Sequence, residues 1–297
     1  MGEKYLFQAK SKSFDLGQRT WLMAVVNVTP DSFYDGGVYL DPARAVERGL
    51  ELAADGADII DVGGESTRPG ANPVPAEEEQ KRVLPVIAAL RKKTKTLISV
   101  DTTKAEVAEA ALAAGADIIN DISAGRFDVR MLPLAARSGA GLILMHMKGT
   151  PKTMQLNPHY EDVLAEVKSF LEERIEAAES FNIKRERIII DPGIGFGKNF
   201  EDNLTLLNNL ASLAEVGRPV LVGISQKSFI GKILNLRPEE RLEGTIAAAV
   251  VSILRGASLL RVHDILAIKR AIVVAETISS QGTIKPLWEG HRKRYVH

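Results

Sequence analysis

Four times along the chain a helical pattern ends at a glycine and a short, unbroken apolar run follows. The passages are AADGADIIDV from Ala53, AAGADIINDI from Ala113, ARSGAGLILMHM from Ala136 and LRGASLLRVHD from Leu254. A glycine past the last helical turn supplies the left-handed conformation that stops a helix. An apolar run without period-two alternation is what a parallel strand buried on both faces requires. Met23–Val26, Leu97–Val100, Arg187–Ile190 and Pro219–Gly223 read the same way, which makes eight candidate strands.

Helical patterns fill the intervals. After Asp41, Pro42 stands at a first helical position, with Val46, Leu50 and Ala53 on one face. Glu77, Glu78 and Glu79 open the next helix and Arg91, Lys92 and Lys93 close it, each charge matched to its end of the helix dipole. Asp264 is placed to cap a last helix from Ile265 to roughly Ser280. Eight strand–helix units in 297 residues leave about 37 residues each, near the roughly 30 or more of a βαβ unit. The expectation is an α/β chain closed into a (β/α)8 TIM barrel. An open doubly wound sheet is the alternative, but no Gly-rich dinucleotide fingerprint follows the first strand. Tyr5–Leu16, with a Gly17–Gln18 turn behind it, is expected as a β-hairpin across the bottom of the barrel. No linker or shift in composition divides the chain, so 1–297 is read as a single domain: hairpin 1–20, barrel 21–281, tail 282–297.

Composition narrows the function. Lys+Arg and Asp+Glu both number 38, so the basic excess of a general nucleic-acid or polybasic membrane binder is missing. The chain has no cysteine, which excludes disulfides, thiolate nucleophiles and Cys-ligated metal centres. No apolar run approaches the roughly 20 residues of a membrane span, and MGEKYLFQAKSKSFDL lacks the pattern of a signal peptide. A soluble, cytoplasmic protein is the expectation.

Each candidate strand ends in a polar residue: Asn27, Asp61, Asp101, Asn120, His146, Asp191, Ser225, and Arg261 with His263. Any one of them could be a helix cap or a turn residue. All eight together match the C-terminal face of a barrel, where catalytic groups gather. The loops NVTPDSFYDGG (Asn27–Gly37) and GGESTRPGANPVP (Gly63–Pro75) exceed the usual two to six or so residues of such connections. They read either as plain surface loops or as lids that exclude water, and the apolar Phe33 within a polar loop favours lids.

NVTPDSF (Asn27–Phe33), GGESTRPGA (Gly63–Ala71), SVDT (Ser99–Thr102), NDISAG (Asn120–Gly125), MHMKGTPKTMQ (Met145–Gln155), DPGIGFGK (Asp191–Lys198) and RVHD (Arg261–Asp264) resemble, in order, the motifs of the dihydropteroate synthase family. The resemblance covers essentially the whole chain. It implies a pterin-binding TIM barrel that joins 6-hydroxymethyl-7,8-dihydropterin diphosphate to p-aminobenzoate in folate synthesis, releasing diphosphate and 7,8-dihydropteroate. It also implies a sulfonamide target and a homodimer formed through barrel helices away from the mouth.

The residues suit that chemistry. A pterin presents adjacent N–H donors, which a carboxylate accepts side by side, while an Asn meets a neighbouring donor and acceptor. The resemblance places Asp191, Asn120 and Asp101 on the pterin, Ile122, Met145 and Phe196 on its faces, and Lys227 on its heteroatoms. Met145 and Phe196 could equally be core residues. A buried lysine is also the group that forms Schiff bases in barrel aldolases. Arg68, Arg261 and His263 match the family's diphosphate site, arginine forks being suited to phosphate oxygens; a solvated loop charge is the plainer reading of Arg68. Asn27 is implied as the residue that helps hold Mg2+ on the diphosphate, an ion that takes few protein ligands. Phe33, Thr67, Pro69 and Ser228 match the p-aminobenzoate site, with Ser228 starting a short helix SFIGKIL. The implied reaction is dissociative: diphosphate leaves, Asp101 stabilises the developing cation, and the arylamine attacks. Asp101, Lys227, Arg261 and His263 are the implied catalytic residues.

Two departures stand out. Family members usually carry Arg before the pocket lysine, where this chain has Gln226, and Tyr34 stands where Ser is frequent. The alternatives are a pterin-binding module of a corrinoid-dependent methyltransferase, which needs neither the lids nor the anion site, and a paralogue without synthase activity.

Overall fold

The computed structural model describes residues 5–29 and 42–280. Asp41, Phe33 and Tyr34, with the first long loop beyond Thr29 and the tail 282–297, lie outside the described residues. Two short strands, β1 (Leu6–Ala9) and β2 (Lys12–Asp15), pair antiparallel. Then strands and helices alternate: β3 (Trp21–Asn27), α1 (Pro42–Ala54), β4 (Ile59–Gly63), α2 (Ala76–Lys93), β5 (Leu97–Asp101), α3 (Ala105–Ala114), β6 (Ile118–Asp121) and α4 (Met131–Ser138). The second half continues with β7 (Gly141–Met145), α5 (Val163–Ser180), β8 (Ile188–Asp191), α6 (Phe200–Asn208), α7 (Leu210–Ala214), β9 (Leu221–Gly223), α8 (Ser228–Leu234), α9 (Leu242–Leu254), β10 (Leu259–Val262) and α10 (Ile265–Ser279).

Strands β3 to β10 form one parallel sheet in the order β8-β7-β6-β5-β4-β3-β10-β9. The two ends meet where Ile190 pairs with Val220 in a parallel bridge and Ile190 N–H donates to Pro219 O at 3.0 Å. This seam holds one registered pair, against three to five at the other junctions. The sheet is thereby a closed (β/α)8 barrel. The glycines that mark the four repeated helix ends, Gly56, Gly115, Gly139 and Gly256, all have positive φ (102°, 121°, 71° and 109°), the backbone that a side chain resists.

Alternation along each strand sorts the apolar residues into two cores. One row, including Ala24, Ile60, Ile98, Ile119, Leu142, Ile188, Val222 and Leu260, packs outward against the helices. The other row, Met23, Ile59, Leu97, Ile118, Ile143, Ile189, Leu221 and Leu259, fills the lower barrel, and Phe7, Ala9 and Leu16 of the hairpin region seal it from below. Lys10 N–H donates to Gly139 O at 2.7 Å, which ties the hairpin to that end.

Three local expectations are corrected. The hairpin reverses at Lys10–Ser11; Gly17, bonded through its N–H to Asp15 Oδ1 at 2.9 Å, belongs to the link into β3. Asp264 occupies the N-cap position of α10 but makes no side-chain capping bond. Strand β8 begins at Ile188 because Arg185–Arg187 wind into a 3-10 turn.

Candidate active site

Two residues beyond the lower apolar layer the inward row turns polar. Ile59 is followed by Asp61, Ile118 by Asn120, Ile189 by Asp191 and Leu259 by Arg261, while Leu97 leads through Ser99 to Asp101. Side chains repeat their facing every second residue, so five strands aim these groups at one point above the sealed core. Asp61, Asp101, Asn120 and Asp191 are all buried.

Arg261 joins them. Its Nε donates to Asp61 Oδ2 at 2.7 Å and its Nη2 to Asp101 Oδ2 at 2.8 Å. Asn120 Nδ2 donates to the same Asp61 oxygen at 3.0 Å. Burial works against the guanidinium charge, but Asp61 and Asp101 outweigh it and hold Arg261 above its usual range. Burial pushes Asp101 up to about 7, with Arg261 pulling it down and Asp61, Glu79 and Asp121 pushing it further up. Asp61 is therefore the hub of the network, a role that sequence reading did not assign to it. Its Oδ1 has no hydrogen-bond partner among the described residues.

Asp191 accepts from Gly193 N–H at 2.7 Å, and burial raises it to about 6 despite that bond and the charges of Lys227, Lys198 and Arg261. Gly193 has φ +68°, and a Cβ there would lie 1.9 Å from the carbonyl oxygen of His146, so the loop after β8 sits directly on the end of β7. Lys198 fixes that loop from beneath: its Nζ donates to His146 Nδ1 at 2.9 Å and to Phe196 O at 3.0 Å. Sequence reading gave neither His146 nor Lys198 a site role. Burial lowers Lys198 to about 7, Asp191 opposing and Lys227 reinforcing the shift. Burial, with Lys198 and Arg126 adding to it, keeps the His146 ring far below its usual range.

Ile122, Met145 and Phe196 come together with Met147 and Met154 in a small apolar cluster, with Met145 level with Asp191 in the strand register. The Lys227 ammonium lies 4.3 Å from the centre of the Phe196 ring and is lowered to about 8 by burial and Arg261, against the pull of Asp191 and Asp101. His263 Nδ1 lies 2.9 Å from Ser225 Oγ. Burial takes His263 down to about 4, helped by the positive charges of Arg261, Arg68 and Lys227.

At the rim, Thr67 is half-buried while Arg68, Pro69 and Ser228 are exposed, and among the described residues no hydrogen bond joins them to the carboxylate network. The second long loop makes a tight turn, Ala71 N–H to Arg68 O at 3.0 Å, and its tip bonds to Pro151 through Gly70 N–H at 3.1 Å. Asn27 ends β3 beside Asp101: a Cβ on Gly63 would meet Asn27 Oδ1 at 3.7 Å and Asp101 Oδ2 at 3.8 Å. Helix α8 starts at Ser228 as expected. Gln226 sits in the left-handed region at φ 58°, held by its N–H to Thr245 Oγ1 at 3.2 Å and its carbonyl to Arg241 Nη1 at 2.9 Å.

Residues 23–263 match the family of pterin binding enzymes. The dihydropteroate synthase of Synechocystis sp. is 46% identical over 266 residues, 89% of this chain and 92% of the relative. Two Xanthomonas albilineans dihydropteroate synthase structures superimpose on the fold. The one with 4-aminobenzoic acid has a TM-score of 0.88 and 46% identity, covering 94% of this chain and 99% of that one. The one in complex with 7,8-dihydropteroate has a TM-score of 0.83 and 45% identity, covering 91% and 97%. The chain belongs to the dihydropteroate synthase family of pterin-binding enzymes.

Proposed function

We propose that the mouth of this barrel condenses 6-hydroxymethyl-7,8-dihydropterin diphosphate with p-aminobenzoate by dissociative substitution, with each residue in the role below. The observation that carries the assignment is the apolar slot of Ile122, Met145 and Phe196 set directly against Asp191, Asn120 and Lys227. A flat heterocycle with a hydrogen-bonding edge fits such a slot: its faces meet the apolar side chains, its donors meet Asp191, and Asn120 and Lys227 meet its remaining heteroatoms. A bound substrate also supplies Asp191 with the donors that burial denies it.

Arg261 uses Nε and Nη2 on the two carboxylates and leaves Nη1 for an anion, so Asp61 and Asp101 aim it. His263, neutral in the free protein with Nδ1 at Ser225, turns Nε2 to the arriving anion and takes up a proton there, and Arg68 supplies a further cation from the lid. Together they stabilise charge building on the departing diphosphate. Asp101 faces the carbon left electron-poor, and the arylamine of p-aminobenzoate, held by Phe33, Thr67, Pro69 and Ser228, attacks there. A sulfonamide would compete for those four residues. The amide oxygen of Asn27 is a hard donor beside Asp101 and fits Mg2+, which would bring charge neutralisation to the diphosphate.

A corrinoid-linked module would leave the second lid and the Arg68–Arg261–His263 set without a use. Exposed Val251 and Leu254 on α9 and Val274 and Ile278 on α10 lie at helical spacing on two helices that pack together, and support a homodimer through this face, away from the mouth. No helix among the described residues is long and apolar enough to cross a membrane, and the cysteine-free composition supports a cytoplasmic location. The test is diphosphate release by purified protein with both substrates, with and without Mg2+. Release must require p-aminobenzoate; release without it, or corrinoid-dependent methyl transfer instead, overturns the reading.

A further inference from the structure

The second lid is anchored at its base by a partly buried ion cluster distinct from the residues assigned to substrate. Glu65 lies two residues before Thr67, and its Oε2 accepts from Val74 N–H at 3.1 Å, so one carboxylate spans both ends of the loop. The same oxygen takes an ion pair from Lys104, three residues past Asp101, and Lys104 Nζ also donates to Glu79 Oε2 at 2.6 Å. Glu79, on α2, is fully buried. The loop is pressed onto this helix: a Cβ on Gly64 would lie 2.8 Å from Val83 Cγ1 and 3.1 Å from Glu79 Cγ, and Gly64 O accepts from Arg82 Nη1 at 2.9 Å. A buried carboxylate needs a counter-charge, but that need alone does not require Lys104 to extend its second bond into the lid.

We propose that Lys104 is a positioning residue for the condensation, clamping Glu65 against Glu79 so that Thr67 and Arg68 are held in fixed relation to the strand end that carries Asp101. This rests on the synthase reading for its kinetic consequence, not for the clamp itself. With the clamp released, the lid keeps its tip tether through Gly70 and Pro151 and the Gly64–Arg82 bond, but Glu65 no longer fixes the segment that carries Thr67 and Arg68. The pterin slot, built from β6, β7 and β8, is untouched.

Lys104→Met alone leaves Glu79 buried and unpaired, so the test uses Lys104→Met/Glu79→Gln, and separately Glu65→Gln, which keeps the Lys104–Glu79 pair. Hydrogen exchange across residues 66–74 should quicken in both variants, with β5 unchanged. The KM for p-aminobenzoate should rise on the order of tenfold to a hundredfold, as for a misplaced orienting group, with affinity for 6-hydroxymethylpterin within about twofold of the parent. Lys104→Arg should restore both. Unchanged exchange over 66–74 in folded variants overturns the clamp. Pterin affinity falling in step with the KM would reduce Lys104 to a general structural role and overturn the positioning claim. A parent enzyme that released no diphosphate would sink the synthase reading and leave the exchange result standing.

Discussion

Replacing Asp191 by Asn should separate binding from stability in opposite directions. Asn keeps an oxygen for Gly193 N–H, so the bond at 2.7 Å survives and the loop after β8 keeps its course. The pterin loses a charged acceptor and gains an amide that points donors at its own donors. Removing one partner of a buried charged set costs about 3–5 kcal/mol, which is on the order of a hundredfold to several thousandfold in affinity. The free protein behaves differently. Asp191 is raised from 3.8 to about 6, and at about 1.36 kcal/mol per tenfold in proton affinity, ionising it costs the fold at most about 3 kcal/mol. Because the folded-state value lies above the unfolded one, stability is greatest below about 3.8 and is lost as pH rises through about 6. Asn removes that loss. Denaturant titrations should therefore find Asp191→Asn as stable as the parent near pH 4 and more stable at pH 8, while calorimetry with 6-hydroxymethylpterin shows binding nearly abolished. A variant that binds the pterin within tenfold of the parent would falsify the placement of Asp191 on the ring edge. One that loses stability at pH 8 would refute the claim that burial dominates its charge.

Arg68→Ala should leave the fold and pterin affinity intact but weaken p-aminobenzoate binding about tenfold or more in the presence of diphosphate, through the lost cation on the lid; unchanged binding by fluorescence titration would show that Arg68 does not couple the two. Gly193→Ala should cost at least about 3 kcal/mol, because it combines a left-handed backbone with a clash against His146 O. Gly217→Ala, where φ is +81° and nothing lies within 4 Å of the added carbon, should cost only about 1–2 kcal/mol; equal losses in denaturant would mean that the contact with β7 is not tight. His263, held near 4 in the free protein, should gain a proton when diphosphate arrives. Calorimetry near pH 6 in buffers of different ionisation enthalpy should show proton uptake that disappears in His263→Gln, and equal uptake in both proteins would reject it.

The barrel was legible because its signals are local. A glycine after a helix and an apolar run after the glycine are read within a dozen residues, and Pro42 and Glu77–Glu79 open α1 and α2 as their chemistry demands. The polar strand ends were legible for the same reason. What escaped was every relation that depends on which strand neighbours which. Asp61 reads as one more polar strand end until β4 is set two strands from β6 and two from β10, where Arg261 and Asn120 converge on it. Glu79 read only as one of three acids opening a helix, and Lys104 and Glu65 drew no reading, since nothing in spacings of 14 and 25 residues says that the three meet. Lys198 looked like the end of a glycine-rich loop rather than its support. Asp264 carried the right residue type for a cap, but its backbone leaves the side chain without the bond.

The seam of the barrel gives bound pterin a second task. Strands β8 and β9 are joined by the single Ile190–Val220 pair, and the residues just above them are Asp191 on one side and Lys227 on the other. On the proposed placement, a ring held by both would act as a clasp across the weakest stave of the cylinder. Ligand-free molecules should breathe there first, shedding amide protection along β8 and β9 before the remaining strands. Occupancy would then slow that opening, so the substrate would stiffen the already closed barrel at its thinnest junction.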